Sequence, residues 1–334
     1  MTFILSILIF GAAGILEAKT LKVMQYNAEN FFDTSFDEGT LDYTYLPQSV
    51  KRNLRGHKEY CDTQSGFYRE QCLNLDWNEA KFTKKIINIS RVIKSYDKSG
   101  SGPDLVVFQE VENRNALNKL VTKGLNRLGY QYMELIEGDD SRGIDVGLIS
   151  KYPVVSSRHH SVYVNDERLD TRGILEVTLN VDGNEVVVFC NHWPSQGNPA
   201  IERIESAKLL SRIAASKKAD LILAIGDFNT LHKDSPYPFN YLEGFIDSEK
   251  EARKVNSDLN PGTHFRKGEW SSLDKIFVYK NPALKADYYT YEILTPSFMM
   301  KRDYQTDEMV PIRFNHETGE GFSDHLPVKI EFHY

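Results

Sequence analysis

A mixed α/β fold, with two packed sheets flanked by helices, is predicted from three features of the sequence. Short apolar, β-branched runs alternate with amphipathic helical stretches along the chain. Several strands fall between successive helices, which disfavours a simple doubly wound parallel sheet. Acids, amides and histidines recur where an apolar run ends, which suits a scaffold that projects polar groups from one rim.

The elements follow in order. Leu21 to Tyr26 reads as a strand. Phe82, Ile86, Ile89 and Ile93 share one helical face, with Lys84, Lys85 and Arg91 between them on the charged remainder. Leu105 to Phe108 is a continuous apolar strand introduced by the turn signal Gly102-Pro103-Asp104. Leu117, Leu120, Val121 and Leu128 mark a second helix. Strands follow at Val146–Ile149, Leu175–Leu179 and Val186–Cys190, then a helix carrying Ile204, Ala207, Leu210 and Ile213. Leu221–Ile225, Leu273–Val278 and Val328–Phe332 complete the strands. The polar stretches Asp33–Asp76 and Thr295–Phe322 read as insertions. No repeat or low-complexity linker divides the chain, so residues 19–334 are expected to form one domain.

Of the 334 residues, 41% are hydrophobic and 26% charged, which excludes a disordered tail protein and a multi-span membrane protein. The net charge of −7 argues against attachment to nucleic acid by bulk positive charge. It leaves room for an enzyme that touches a phosphodiester only at its active site. Met1 to Leu16 carries no charged side chain, and its apolar run is too short to span a bilayer. With Gly11-Ala12-Ala13-Gly14 behind it, residues 1–18 read as a signal peptide, and the protein as exported. Leu16 and the missing basic residue before Phe3 depart from the usual pattern. Cleavage removes one acidic residue, Glu17, so the mature chain stays acidic. After export Cys61 and Cys72 can pair within a polar, loop-like segment, while Cys190 belongs to a buried strand.

Six polar groups sit at strand ends. Asn27 and Glu29 follow the first strand, Glu110 follows Phe108-Gln109, and His192 follows Cys190-Asn191. Asp227 and Asn229 follow Gly226, Asp274 lies in the next-to-last strand, and Asp324 and His325 precede the last. Each alone reads as a turn former or a structural histidine. Six at successive strand ends point to a site, and oxygen-rich donors without a Cys/His cluster suit Mg²⁺, Mn²⁺ or Ca²⁺.

The segments Gln25-Tyr26-Asn27-Ala28-Glu29-Asn30, Phe108-Gln109-Glu110-Val111, Asn191-His192-Trp193-Pro194-Ser195, Gly226-Asp227-Phe228-Asn229, Ser272-Leu273-Asp274-Lys275-Ile276 and Ser323-Asp324-His325-Leu326-Pro327 occur in that order. Together, over residues 21 to 332, they resemble the endonuclease/exonuclease/phosphatase superfamily, with its DNase I-like fold. The Asn-His-Trp-Pro-Ser segment is most similar to a bacterial secreted-nuclease-like branch. The resemblance implies a four-layer α/β/β/α sandwich with its site at one end of the sheets. It implies Glu110 as principal Mg²⁺ ligand beside Asn27, with Asp324 at the metal and Glu29 in support. Asp227 and Asn229 would position the water and contact phosphate, and Asp274 would orient His325. Asp145, in Gly143-Ile144-Asp145-Val146-Gly147-Leu148, would pair with His192, and Arg172 would contact phosphate.

His159 and His160 read as solvated, His264 as a loop residue, Trp193 and Phe228 as packing, and Lys217-Lys218 as a solvated helix end. The leading expectation is an exported Mg²⁺-dependent nuclease acting on DNA, with RNA as a further substrate. No stable membrane association is expected after signal cleavage. A lipid or inositol phosphate phosphoesterase of the same fold is the first rival, and a non-catalytic binding protein the second.

Overall fold

The computed structural model describes residues 19–334, so the expected signal segment 1–18 lies outside the described residues. Two six-stranded sheets pack face to face. The first has the spatial order β11 (Lys285–Ile293), β12 (Val328–His333), β1 (Thr20–Phe31), β2 (Leu105–Val111), β4 (Asp145–Ser150) and β3 (Tyr132–Glu134). The second runs β9 (Phe245–Asp247), β10 (Asp274–Tyr279), β8 (Leu221–Asp227), β7 (Asn184–His192), β6 (Ile174–Val181) and β5 (Val154–His160). Each sheet holds one parallel pair, β1 with β2 and β7 with β8, flanked by antiparallel neighbours. A parallel pair needs a crossover. α4 (Glu79–Lys94) lies on the path between β1 and β2, and α6 (Ala200–Ala215) links β7 to β8.

Burial sorts the strands by alternation. Val186, Val188 and Cys190 of β7 join the core between the sheets, whereas Val187 and Phe189 join the cluster under α6. Phe82, Ile86, Ile89 and Ile93 cover the outer face of the first sheet. The result is the α/β/β/α sandwich expected. Asn78 caps α4 by accepting from the Ala80 and Lys81 amides. Trp193 and Phe228 pack edge to face at 4.9 Å within the α6 cluster, as anticipated.

The carboxyl ends of both parallel pairs point to the same end of the sandwich, the usual place for a site in such sheets. Asn27 and Glu110 therefore meet His192 and Asp227 there. β10 and β12 run antiparallel to these pairs and start at that end. Asp274 opens β10 directly opposite Asp227, and His325 precedes β12.

Several local expectations change. The segment 33–76 carries three short helices, α1 (Gln48–Lys51), α2 (His57–Thr63) and α3 (Gly66–Asn74), rather than loop. The Cys61–Cys72 disulfide does form and joins α2 to α3. Lys85 is fully buried, not on the charged face: its ammonium donates to the Glu29 carbonyl at 2.7 Å and lies 3.9 Å from the Phe314 ring. Burial pushes it down to about 8. The second helix, α5 (Arg114–Lys119), ends in a widened turn, so Leu128 lies outside it. The edge strands β5 and β11 were not legible because both are half exposed and lack apolar alternation. His159 holds the Arg172 carbonyl at 2.9 Å, His160 pairs with Glu176 at 2.9 Å, and Lys217 also pairs with Glu176. None of the three is simply solvated.

Candidate functional site

The first sheet re-aims its polar groups with irregular backbone. Pairing shifts register after Asn27 and after Gln109. Glu29, Asn30 and Glu110 take positive φ angles of 52°, 56° and 59°. Such conformations cost energy for residues with a Cβ and are retained where they turn a side chain toward a site. Glu110 accepts from the Asn27 amide at 3.1 Å and from the Asn30 backbone N–H at 2.9 Å.

The second sheet supplies Asp227. Gly226, at φ 155°, precedes it, and a Cβ there would lie 1.9 Å from the Asn191 carbonyl oxygen. Only glycine permits that approach of β8 to β7. The Asp227 Oδ1 accepts from the Asn229 N–H at 2.8 Å. Its Oδ2 accepts from Asn27 Nδ2 at 3.2 Å and lies 3.7 Å from His192 Nε2 and 3.8 Å from His325 Nε2. Burial, with Asp274 and Glu110 close by, pushes this carboxyl up to about 7 against the opposing pull of His325.

His325 and Asp274 pair as expected, Nδ1 to Oδ2 at 2.7 Å, and Gln25 donates to the other Asp274 oxygen at 2.6 Å. Burial alone would lower the imidazole, but Asp274, Asp227 and Asp324 hold it well above its ordinary value, as an imidazolium. Asn229 sits beside this group and donates to the Trp193 carbonyl at 3.0 Å.

Two expectations fail here. Asp145 does not pair with His192. Asp145 opens β4 in the first sheet, accepts from the Gly138 N–H at 2.8 Å, and is held up at about 9 by burial and the neighbouring Glu137 carboxyl. His192 ends β7 in the second sheet, and its buried Nδ1 has no partner. Burial, then Arg172, His325 and Arg142, keep its pKa well below normal, so it is neutral. Glu29 is not open to a cation. One oxygen pairs with Arg313, and the other accepts from the Phe314 and Asp324 N–H groups at 3.0 and 2.9 Å, anchoring the 313–324 segment. Asn27 does lie beside Glu110: its oxygen accepts from the Glu29 N–H at 3.0 Å, and its amide bridges Glu110 and Asp227 as a donor.

Arg172 does reach the site, but through Asp140. It lies 3.2 Å from that carboxylate and donates to the Trp193 carbonyl at 2.8 Å. Asp140 also holds Arg142 at 3.0 and 2.7 Å. Glu110, His192 and Asp324 line a cleft of about 630 Å³, with Arg142, Arg172 and Arg313 around them.

Residues 68–334 match the sequence profile of the Endonuclease/Exonuclease/phosphatase family. The chain belongs to this family. It is accordingly a metal-dependent phosphoesterase. A sequence search of curated proteins finds no match. Among solved structures, an endonuclease/exonuclease/phosphatase family protein from Bacteroides thetaiotaomicron is 17% identical, covering 95% of this chain and 99% of its own at a TM-score of 0.55. Beta toxin from Staphylococcus aureus, with bound magnesium ions, is 17% identical, covering 93% and 99% at 0.52. Sphingomyelinase C from Streptomyces griseocarneus is 16% identical, covering 94% and 99% at 0.52. At these identities the likeness establishes the shared fold.

The family's metal fits the residues present. Glu110 and Asp324 both line the cleft, and the Asn27 amide ties Glu110 to Asp227, whose carboxyl is raised by burial and then by the neighbouring Asp274 and Glu110. Oxygen donors of this kind suit a hard divalent ion. Ligand atoms of His264, Asp324 and His325 lie within 4.8 Å of one another, as do those of Asp227, Asp274 and His325. Asp274 is committed to His325, so the carboxylates on the cleft that would hold the ion are those of Glu110 and Asp324.

Four site residues of this family member escaped the sequence reading. Arg142 and Asp140 stand just before the Gly143–Leu148 segment, and Arg313 lies inside the supposed insertion 295–322. His264 bridges to His325 with ring centroids 4.8 Å apart. Only its place in Thr263-His264-Phe265, shortly before the Asp274 strand, hinted at this.

Proposed function

We propose that the protein is an exported, Mg²⁺-dependent nuclease of the bacterial secreted type, hydrolysing phosphodiester bonds in DNA and RNA. The observation that carries this reading is the Asp227 carboxylate held between two histidine Nε2 atoms and tied through Asn27 to Glu110, which with His192 lines an arginine-rimmed cleft. Mn²⁺ and Ca²⁺ satisfy the same oxygen donors. An arginine rim on an acidic protein confines phosphate binding to the cleft. Residues 1–18 as signal peptide and the Cys61–Cys72 disulfide support export to an oxidising compartment.

Asp227, near neutrality and fixed by the Asn229 N–H, takes the proton from the attacking water. His325, its Nδ1 tied to Asp274, presents a charged Nε2–H to a phosphoryl oxygen. Neutral His192 orients the same oxygens through Nε2, and Arg142 and Arg172, held by Asp140, bind the non-bridging charge. When bound on Glu110 and Asp324, the divalent ion would draw further charge from the phosphoryl oxygens.

A lipid phosphodiester is the second reading, favoured by the exposed Phe67 and Tyr68 and by the fold shared with a sphingomyelinase. Plasmid DNA, RNA, sphingomyelin vesicles and inositol phosphates are compared with Mg²⁺ and with chelator, using Glu110→Ala and His192→Ala as controls. Nicking of plasmid that needs Mg²⁺ and Glu110 supports the nuclease. Lipid hydrolysis without nicking overturns it.

A further inference from the structure

We propose that the disulfide-joined helices α2 and α3 form a base-binding wall of the cleft, with Tyr68 and Tyr60 contacting the nucleobase beside the cleaved phosphate. The inference rests on the nuclease reading and names the part of the substrate that this wall recognises.

Tyr60, Gln64, Tyr68 and Gln71 line the same cleft as Glu110 and His192, on the wall away from the sheets. Tyr68 and Gln71 stand three residues apart on one face of α3, while Tyr60 lies on α2 and Gln64 at its end. Aromatic rings beside side-chain amides are what a base requires: a flat surface to stack on, and donors and acceptors for its edge. Tyr68 is 70% exposed, so its ring is free to receive a partner, while Tyr60 is backed by Tyr43 at a centroid distance of 4.8 Å. The disulfide lies directly behind. Cys61 follows Tyr60, Cys72 follows Gln71, both are fully buried, and their Cα atoms are 5.5 Å apart. Ordering the wall in advance lowers the entropic cost of binding.

The charges nearby argue for a base over a membrane surface. On α2 and α3, Glu59, Asp62 and Glu70 outnumber Lys58 and Arg69, and Asp62 pairs with both cations, so neither helix offers a basic patch to an anionic bilayer. The phosphate charge is met instead by Arg142, Arg172 and Arg313, leaving the uncharged wall for the base.

The test uses the full mature chain and two short single-stranded oligonucleotides, identical except for an abasic residue next to the cleaved phosphate. Tyr68→Ala is expected to raise KM for the intact oligonucleotide about tenfold, the size of one lost base stack, with kcat unchanged. KM for the abasic oligonucleotide should not move, and Tyr68→Phe should restore the wild-type value. Tyr304→Ala, 98% exposed and outside the cleft, serves as the control. Equal effects on both oligonucleotides, no effect on either, or a defect only on sphingomyelin vesicles overturn the base-binding wall. Absence of Mg²⁺-dependent cleavage of either oligonucleotide by the wild type is a different outcome, and it overturns the nuclease reading itself.

Discussion

Replacing Asp274 by asparagine keeps the shape of the side chain and removes one of its two acceptors. Both carboxylate oxygens are used: one accepts from Gln25 Nε2 at 2.6 Å, the other from His325 Nδ1 at 2.7 Å. Asparagine has one acceptor oxygen. If it serves Gln25, the new amide faces His325, whose Nδ1 must then accept, and the ring is held neutral with its proton on Nε2. If it serves His325, two amide groups meet in a fully buried position, at a cost of about 1–3 kcal/mol. The first arrangement loses the positive charge beside the phosphoryl oxygens. For Asp274→Asn we expect kcat to fall about 10²–10⁴-fold, with KM changed by less than about threefold. The falling alkaline limb of the rate profile should move to lower pH, because the carboxylate that holds His325 well above its ordinary value is gone. The assay is Mg²⁺-dependent hydrolysis of plasmid and of a small phosphodiester across pH, well below the melting temperature of both proteins. A kcat within about threefold of wild type with an unmoved profile would refute the assigned role of the pair.

Asp145→Asn should leave hydrolysis within about threefold of wild type, since Asp145 faces Glu137 rather than His192. Its carboxyl, held up at about 9 and so above its unfolded value, contributes stability that is complete below about pH 4 and lost as pH rises toward 9. Melting of the metal-free protein from pH 4 to 10 should therefore decline less steeply in Asp145→Asn, and an equal slope would count against the shared-proton pair. Asp140→Ala leaves the buried Arg172 without its ion partner and should cost about 3–5 kcal/mol in urea unfolding, along with most phosphate affinity. Chelation should stop hydrolysis, and added Mg²⁺ should raise the melting temperature of wild type more than that of Glu110→Ala, because the cation relieves the clustered carboxylates.

Much of the site was legible because strand ends are local. The apolar runs end at Asn27, Glu110, His192 and Asp227, and the positions of these residues follow from chain order and strand direction. The pairing of His325 with Asp274 was implied by the family resemblance, and it holds because Asp274 opens a strand and His325 precedes one at the same rim. The failures involve orientation. Asp145 lies close to the site in sequence pattern, yet its strand belongs to the opposite sheet from His192, and its side chain turns to Glu137. Glu29 stands where a metal ligand is expected, but a left-handed backbone at φ 52° leaves it facing Arg313 and two backbone amides.

Hydrophobic periodicity and the ordered polar motifs by themselves determined the family, the sandwich and the identity of most site residues, because strand period and turn chemistry are properties of neighbouring residues. Only the tertiary structure decided who pairs with whom. Asp227 between two histidines, Asp140 holding the distant Arg172, and a tyrosine-lined hairpin beside the cleft all join residues far apart in the chain. A hydrogen bond forms at about 3 Å along a fixed direction, and one sequence carries no record of such directions until the two sheets are stacked.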